Sequence, residues 1–284
     1  MRALTTVASA LVSALAAILA PLVAAPAPAA AEGFPLPLPT NVGQPAGAND
    51  WSCRPSAERP SPVVLVHGTF GDRRSLLDPI SAAMVAEGFC VFSFDYGNRG
   101  TGKVEGSAAQ LKRFVDRVLE ATGARRVSLV GHSQGGMMPR YYIKFLDGAR
   151  FVEDLVGLAP SNHGTDLVFA PGDPILGSGL GAVCRSCQQQ GTGSAFLATL
   201  NAGDETPGRV DYTQITTRYD EVVVPHTSGY LAEGPRTTNV TIQDSCPADL
   251  AEHLLIPMSR TAIAWTLEAL THDGPARPEF RPVC

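Results

Sequence analysis

The stretch Val127-Ser128-Leu129-Val130-Gly131-His132-Ser133-Gln134-Gly135-Gly136 constrains the fold of this chain more than any other. An apolar run suited to a strand leads into G-x-S-x-G, and a helix is expected to open at Met137. The five-letter pattern alone arises by chance in ordinary Gly/Ser turns. A strand before it and a helix after it give it weight. A serine on such a sharp turn has strained backbone angles, and glycines are needed where the two arms nearly touch. The turn lifts the Ser133 hydroxyl clear of the sheet and aims the helix's N-terminal amides at whatever lies above it.

Around this turn the chain alternates apolar runs with helical periods. Strands are expected at 62–66, 90–94 and 155–158, and later at 210–217 and 239–243. Helices are expected at 75–87, 105–122 and 137–146, with Pro139 tolerated in the first turn of the last. In 105–122, Leu111, Phe114, Val115, Val118 and Leu119 recur at helical spacing, and Gly123 stops the helix. A closing helix spans 257–270, with Pro257 suited to its first position. Strand, helix, strand, helix with short links argues for an α/β fold, a mostly parallel central sheet with helices on both faces. Residues 160–208 depart from this rhythm. They are dense in Gly, Pro, Ser and Gln and read as a cap or substrate-loop region within one domain spanning 32–284.

The first 31 residues are not part of that fold. Arg2 supplies a positive start, residues 7–20 are apolar but too short to span a bilayer, and Ala29-Ala30-Ala31 offers an A-x-A cleavage match. This reads as a secretory signal. An uncleaved membrane anchor is the competing reading, but Pro21 breaks the run and no stop-transfer pattern follows. The mature chain then begins near Glu32 with an extended arm over 32–60. Its net charge of −5 becomes −6 once Arg2 is removed, and nothing basic marks a nucleic-acid surface. The protein is expected to be secreted and monomeric, without stable membrane insertion.

Export gives the six cysteines their meaning, because an even count in an oxidising compartment implies disulfides. The favoured pairs join neighbours in sequence: Cys53–Cys90, Cys184–Cys187 and Cys246–Cys284. Cys184-Arg185-Ser186-Cys187 also fits a redox motif or half of a zinc site. Without a second CxxC, a loop staple is the better reading.

A serine hydroxyl is a poor nucleophile and needs an imidazole held by a carboxylate. On this architecture those partners follow the serine, acid before base. His67 and His132 precede Ser133 and read as turn residues beside the site. His163 and His226 come before the acid or too near it, and His272 lies beyond the last helix. His253 remains, in a loop ahead of the closing helix. A lone histidine is ordinarily a surface or satisfied core residue, but order and position favour the general base here. Asp220, at the end of a strand before Val222-Val223-Val224, is the candidate acid, with Glu221, Asp244 and Asp249 as rivals. An oxyanion hole needs two preorganised N–H donors. Gln134, after the nucleophile, supplies one, and the loop after the first core strand supplies the other through Thr69 or, second, Phe70. Phe70 and Met137, with Phe169 or Leu176, are candidates to hold an acyl chain.

His67-Gly68-Thr69-Phe70-Gly71, Gly131-His132-Ser133-Gln134-Gly135-Gly136, Tyr219-Asp220-Glu221-Val222-Val223 and Glu252-His253 fall in one order. Together they resemble the secreted bacterial triacylglycerol lipases and esterases of the class 2 lipase type, especially actinobacterial ones, over roughly residues 60–270. The resemblance implies an α/β-hydrolase fold and carboxylic ester hydrolysis through an acyl-enzyme, acting on a lipid or other ester substrate. It implies Ser133 as nucleophile, Asp220 as acid, His253 as base, and Thr69 and Gln134 as oxyanion donors. Larger lipases of this kind can hold a structural calcium on paired aspartates. No such pair is evident, so neither metal nor cofactor is expected. The same site would serve a polyester or cutin hydrolase, or an acyltransferase. From another class, an exported binding protein on a dead scaffold would lack a triad member, and none is missing.

Overall fold

Six short runs of β-branched and apolar residues form a single sheet in the computed structural model, which describes residues 43–166 and 183–284. The expected signal at 1–31, the start of the arm, Phe169 and Leu176 lie outside the described residues. The strands are β1 (Val63–Val66), β2 (Val91–Ser93), β3 (Val127–His132), β4 (Val152–Leu158), β5 (Asp211–Thr216) and β6 (Thr237–Thr241). Their order is β2-β1-β3-β4-β5-β6, and every neighbouring pair is parallel.

Alternate residues of each strand feed two separate cores, as a sheet covered on both faces requires. Val64, Val66 and Leu129 pack beneath α2 (Val104–Thr122) and α3 (Gln134–Phe145). Val63, Leu65, Val130 and Val156 pack against α1 (Asp78–Ala86) and the closing helix. Helix α2 buries Ala108, Leu111, Val115 and Val118 as its periodicity demands and ends on Gly123, whose left-handed φ of 71° lets its N–H reach Leu119 O. Each fully buried Leu or Val here contributes about 1.5–3 kcal/mol.

The edge strand β2 is covered by the arm. Asn49 donates its main-chain N–H to Val91 O at 2.8 Å, and its side chain pairs with both main-chain groups of Ser93 at 2.8 and 2.9 Å. Trp51 packs its ring, tilted by 47°, 4.9 Å from Phe92, and Cys53–Cys90 fixes the arm covalently. Cys184–Cys187 and Cys246–Cys284 are the other disulfides, the same neighbouring pairs that the spacing favours.

Two boundaries differ from expectation. Helix α3 opens at Gln134, directly after Ser133, and not at Met137, so Pro139 lies in its second turn. The closing helix is α6 (Arg260–Leu270), capped by Ser259, whose hydroxyl accepts from Ala262 N. Pro257 sits in a separate single turn, Ile256–Met258. A serine N-cap satisfies an orphan amide that a proline only avoids, and that sets the true start. Within 160–208, CxxC is not in a loop: it staples the first turn of α4 (Arg185–Gln189), which is followed by α5 (Ala195–Asn201).

β1 connects toward β2 while β3 connects toward β4, away from it. The crevice where such connections part is the place an open parallel sheet offers to a ligand, at the carboxyl ends of its strands. Ser133 stands there.

Candidate active site

Ser133 has φ 56° and ψ −124°, a region that L-residues rarely occupy. Its neighbours make the turn possible only by lacking side chains. A Cβ on Gly131 would lie 1.8 Å from Gly135 O, and one on Gly135 would lie 2.2 Å from Val66 O. The elbow is therefore wedged against β1 as well as folded on itself. Ser133 N–H donates to Leu158 O at 2.8 Å, tying the turn to β4.

Asp220 and His253, the candidate acid and base, come from loops after β5 and β6. Asp220 does not end a strand: β5 stops at Thr216, and the carboxylate sits in the turn beyond it. That turn aims it. Asp220 Oδ1 accepts from Val222 N and Val223 N at 2.9 and 2.7 Å, and His253 Nδ1 lies 2.9 Å from both carboxylate oxygens. His253 Nε2 lies 3.0 Å from Ser133 Oγ. A carboxylate cannot donate, so Nδ1 carries the hydrogen and Nε2 is left to accept from the serine hydroxyl. All three side chains are buried. The rival carboxylates have other partners. Asp244 pairs with Arg218, Asp249 accepts from Ser259 Oγ at 2.6 Å, and Glu221 is pushed up by burial and by the neighbouring Glu252.

Of the oxyanion candidates, Phe70 is occupied: its N–H donates to Arg99 O at 2.7 Å. Among the described residues, no main-chain hydrogen bond takes the N–H of Thr69 or of Gln134. The loop bearing Thr69 lies against the elbow, since a Cβ on Gly68 would be 3.1 Å from Ser133 Cβ. Thr69 Oγ1 accepts from Gln134 Nε2 at 2.8 Å and from Gln190 Nε2 at 3.0 Å, so its own hydrogen is left to donate. Gln190 follows the stapled helix α4, itself pinned where Ser186 Oγ and Gln134 Nε2 both reach Gly100 O. Sequence reasoning missed Gln190, which lies 121 residues from its partner.

Met137 has no exposed surface and packs with Val66 and Leu129 in the core, so it offers a substrate nothing to touch. Helix α3 buries that side against the sheet. Phe70 is partly exposed. His67 and His132 are buried beside the site, where desolvation holds their imidazoles down to about 4 and about 3. Both are neutral at working pH. Among the described residues, no group of three His, Cys, Asp or Glu side chains is placed to hold a metal ion.

A wholly parallel sheet, a serine elbow at its switch point, and an acid and a histidine delivered by later loops define the α/β-hydrolase fold. The chain belongs to the class 2 lipase family, whose model matches residues 60–256. A triacylglycerol lipase of Pseudomonas fragi is 28% identical over 156 residues, covering 51% of this chain and 50% of that one. One from Pseudarthrobacter phenanthrenivorans is 37% identical over 92 residues, covering 28% and 27%. Among solved structures, Aspergillus fumigatus lipase B aligns with a TM-score of 0.66 at 21% identity, covering 85% of this chain and 64% of that one. The chain spans half or less of the length of the sequence relatives it matches.

Proposed function

We propose that this protein is a secreted serine ester hydrolase that cleaves acylglycerols or similar fatty-acyl esters through an acyl-enzyme on Ser133. The observation that carries the reading is the relay of Ser133 Oγ, His253 and Asp220, with gaps of 3.0 and 2.9 Å. Ser133 attacks the ester carbonyl as His253 Nε2 takes its proton, and Asp220 stabilises the imidazolium. The amides of Thr69 and Gln134 receive the oxyanion. His253 then protonates the departing alcohol. Water, activated by the same imidazole, releases the acid and restores the serine.

The loops carrying the acid and the base also carry exposed apolar side chains. Tyr219 and Val224 flank Asp220, and Leu250 and Leu255 flank His253. Such a rim favours a water-insoluble substrate over a small soluble ester. Three disulfides, and no described helix long and apolar enough to cross a membrane, support export of residues 32–284 behind a signal at 1–31.

Ser133→Ala tests the mechanism. Hydrolysis of p-nitrophenyl acyl esters falls about 10⁴-fold or more and fluorophosphonate labelling disappears, while the melting temperature holds. Retained turnover ends the assignment.

A further inference from the structure

The residue between Gly131 and the nucleophile is itself tied to the general base. His132 Nε2 lies 2.8 Å from the main-chain oxygen of His253, across 121 residues of sequence. A carbonyl only accepts, so His132 carries its hydrogen on Nε2 and donates it. Among the described residues, no other hydrogen bond reaches that oxygen. The imidazole is 4% exposed, and its ring centre stands 5.0 Å from that of His253. Gly68 closes its other side, where an added Cβ would come within 3.2 Å of Nδ1.

We propose that His132 is a positioning residue, which grips the general base by its main chain and makes the elbow and the base loop one unit. The need for it follows from how His253 is held. Asp220 fixes the ring, and Thr217 and Gln243 hold the loop at Ala251 O and Asp249 O, but among the described residues the main-chain oxygen of His253 itself is held by His132 alone. The His132 bond links the base's main chain to β3, one residue from the nucleophile. A change of 1 Å in such a placement is worth about 100-fold in rate. Burial, helped by repulsion from His253, keeps His132 uncharged down to about pH 3. A second cation therefore never faces the imidazolium that forms during turnover.

The proposal rests on the triad reading above, which Ser133→Ala tests separately. His132→Leu removes the donor and His132→Gln keeps an N–H of similar reach. Active sites are counted by fluorophosphonate titration, so that rates refer to folded, competent enzyme only. The expected result is a 10- to 100-fold fall in kcat per titrated site for His132→Leu with KM within twofold, and recovery to within about fivefold of the parent in His132→Gln. An unchanged kcat in His132→Leu, or equal impairment in both variants, overturns the proposal. Where the leucine variant does not fold, ¹⁵N-histidine NMR of the parent decides: His132 must be the neutral Nε2–H tautomer. Finding the hydrogen on Nδ1 overturns it.

Discussion

The two halves of the site are held in different ways. The elbow at Ser133 is set by main-chain contact, with Gly131 and Gly135 packed so closely that an added Cβ would lie 1.8 and 2.2 Å from main-chain oxygens. The base loop is set by side-chain hydrogen bonds. Thr217 Oγ1 donates to Ala251 O at 2.6 Å, Gln243 Nε2 reaches Thr217 Oγ1 and Asp249 O, and Glu252 accepts from Leu254 N and Leu255 N. The difference teaches that Ser133 is fixed by excluded volume, which tolerates no change. His253 is fixed by several modest bonds, each of which can be weakened alone.

Changes at the elbow should therefore be all-or-none and changes at the loop graded. Gly131→Ala is the most severe: its methyl has no space, and the cost should exceed about 4 kcal/mol. The variant should be recovered unfolded or not at all. A soluble Gly131→Ala enzyme with normal circular dichroism would break the comparison. Asp220→Asn should fold but lose about 10³- to 10⁴-fold in kcat by favouring the wrong tautomer of His253. Ester kinetics at pH 8 measure this.

Acid should act on the elbow side. His67 and His132 have folded-state values held down to about 4 and about 3 by burial, below the ordinary 6.5. A depressed value means stability fully present above about pH 6.5 and lost as pH falls toward 4 and then 3. Melting temperature should drop by several degrees between pH 7 and pH 4. Histidine NMR titration separates this contribution from the opposite one of buried Asp154, held up to about 8 by desolvation, and an imidazole titrating near 6.5 would be a solvated one. Thr217→Val is the mildest change, costing about 1–3 kcal/mol and a fewfold in kcat, because it takes the donor from Ala251 O and one of the two acceptors of Gln243 Nε2 without moving the elbow.

How much could be read in the chain follows the same division. The elbow is local: strand, G-x-S-x-G and helix lie within twenty residues, and its glycines announce the close approach. Asp220 and His253 follow from chain order, since the parallel sheet delivers later loops to one edge. The grip of His132 on His253 O and of Gln190 on Thr69 could not be read, because each depends on loops meeting across about 120 residues. Met137, directly after the elbow, reads from the sequence as an apolar residue that could hold an acyl chain. Starting the helix at Gln134 rotates it into the core. Pro257 likewise lost the helix start to Ser259, a competition of caps that periodicity does not register.

The packed glycines have a consequence for how this scaffold can diversify. Gly131 and Gly135, where no methyl group fits, offer evolution nothing to vary, so new substrate preferences must be written elsewhere. Selection for an altered substrate preference should leave these glycines untouched and collect its accepted mutations in the segments after β4, β5 and β6. The most rigid part of the enzyme would then be the part with the least history of change.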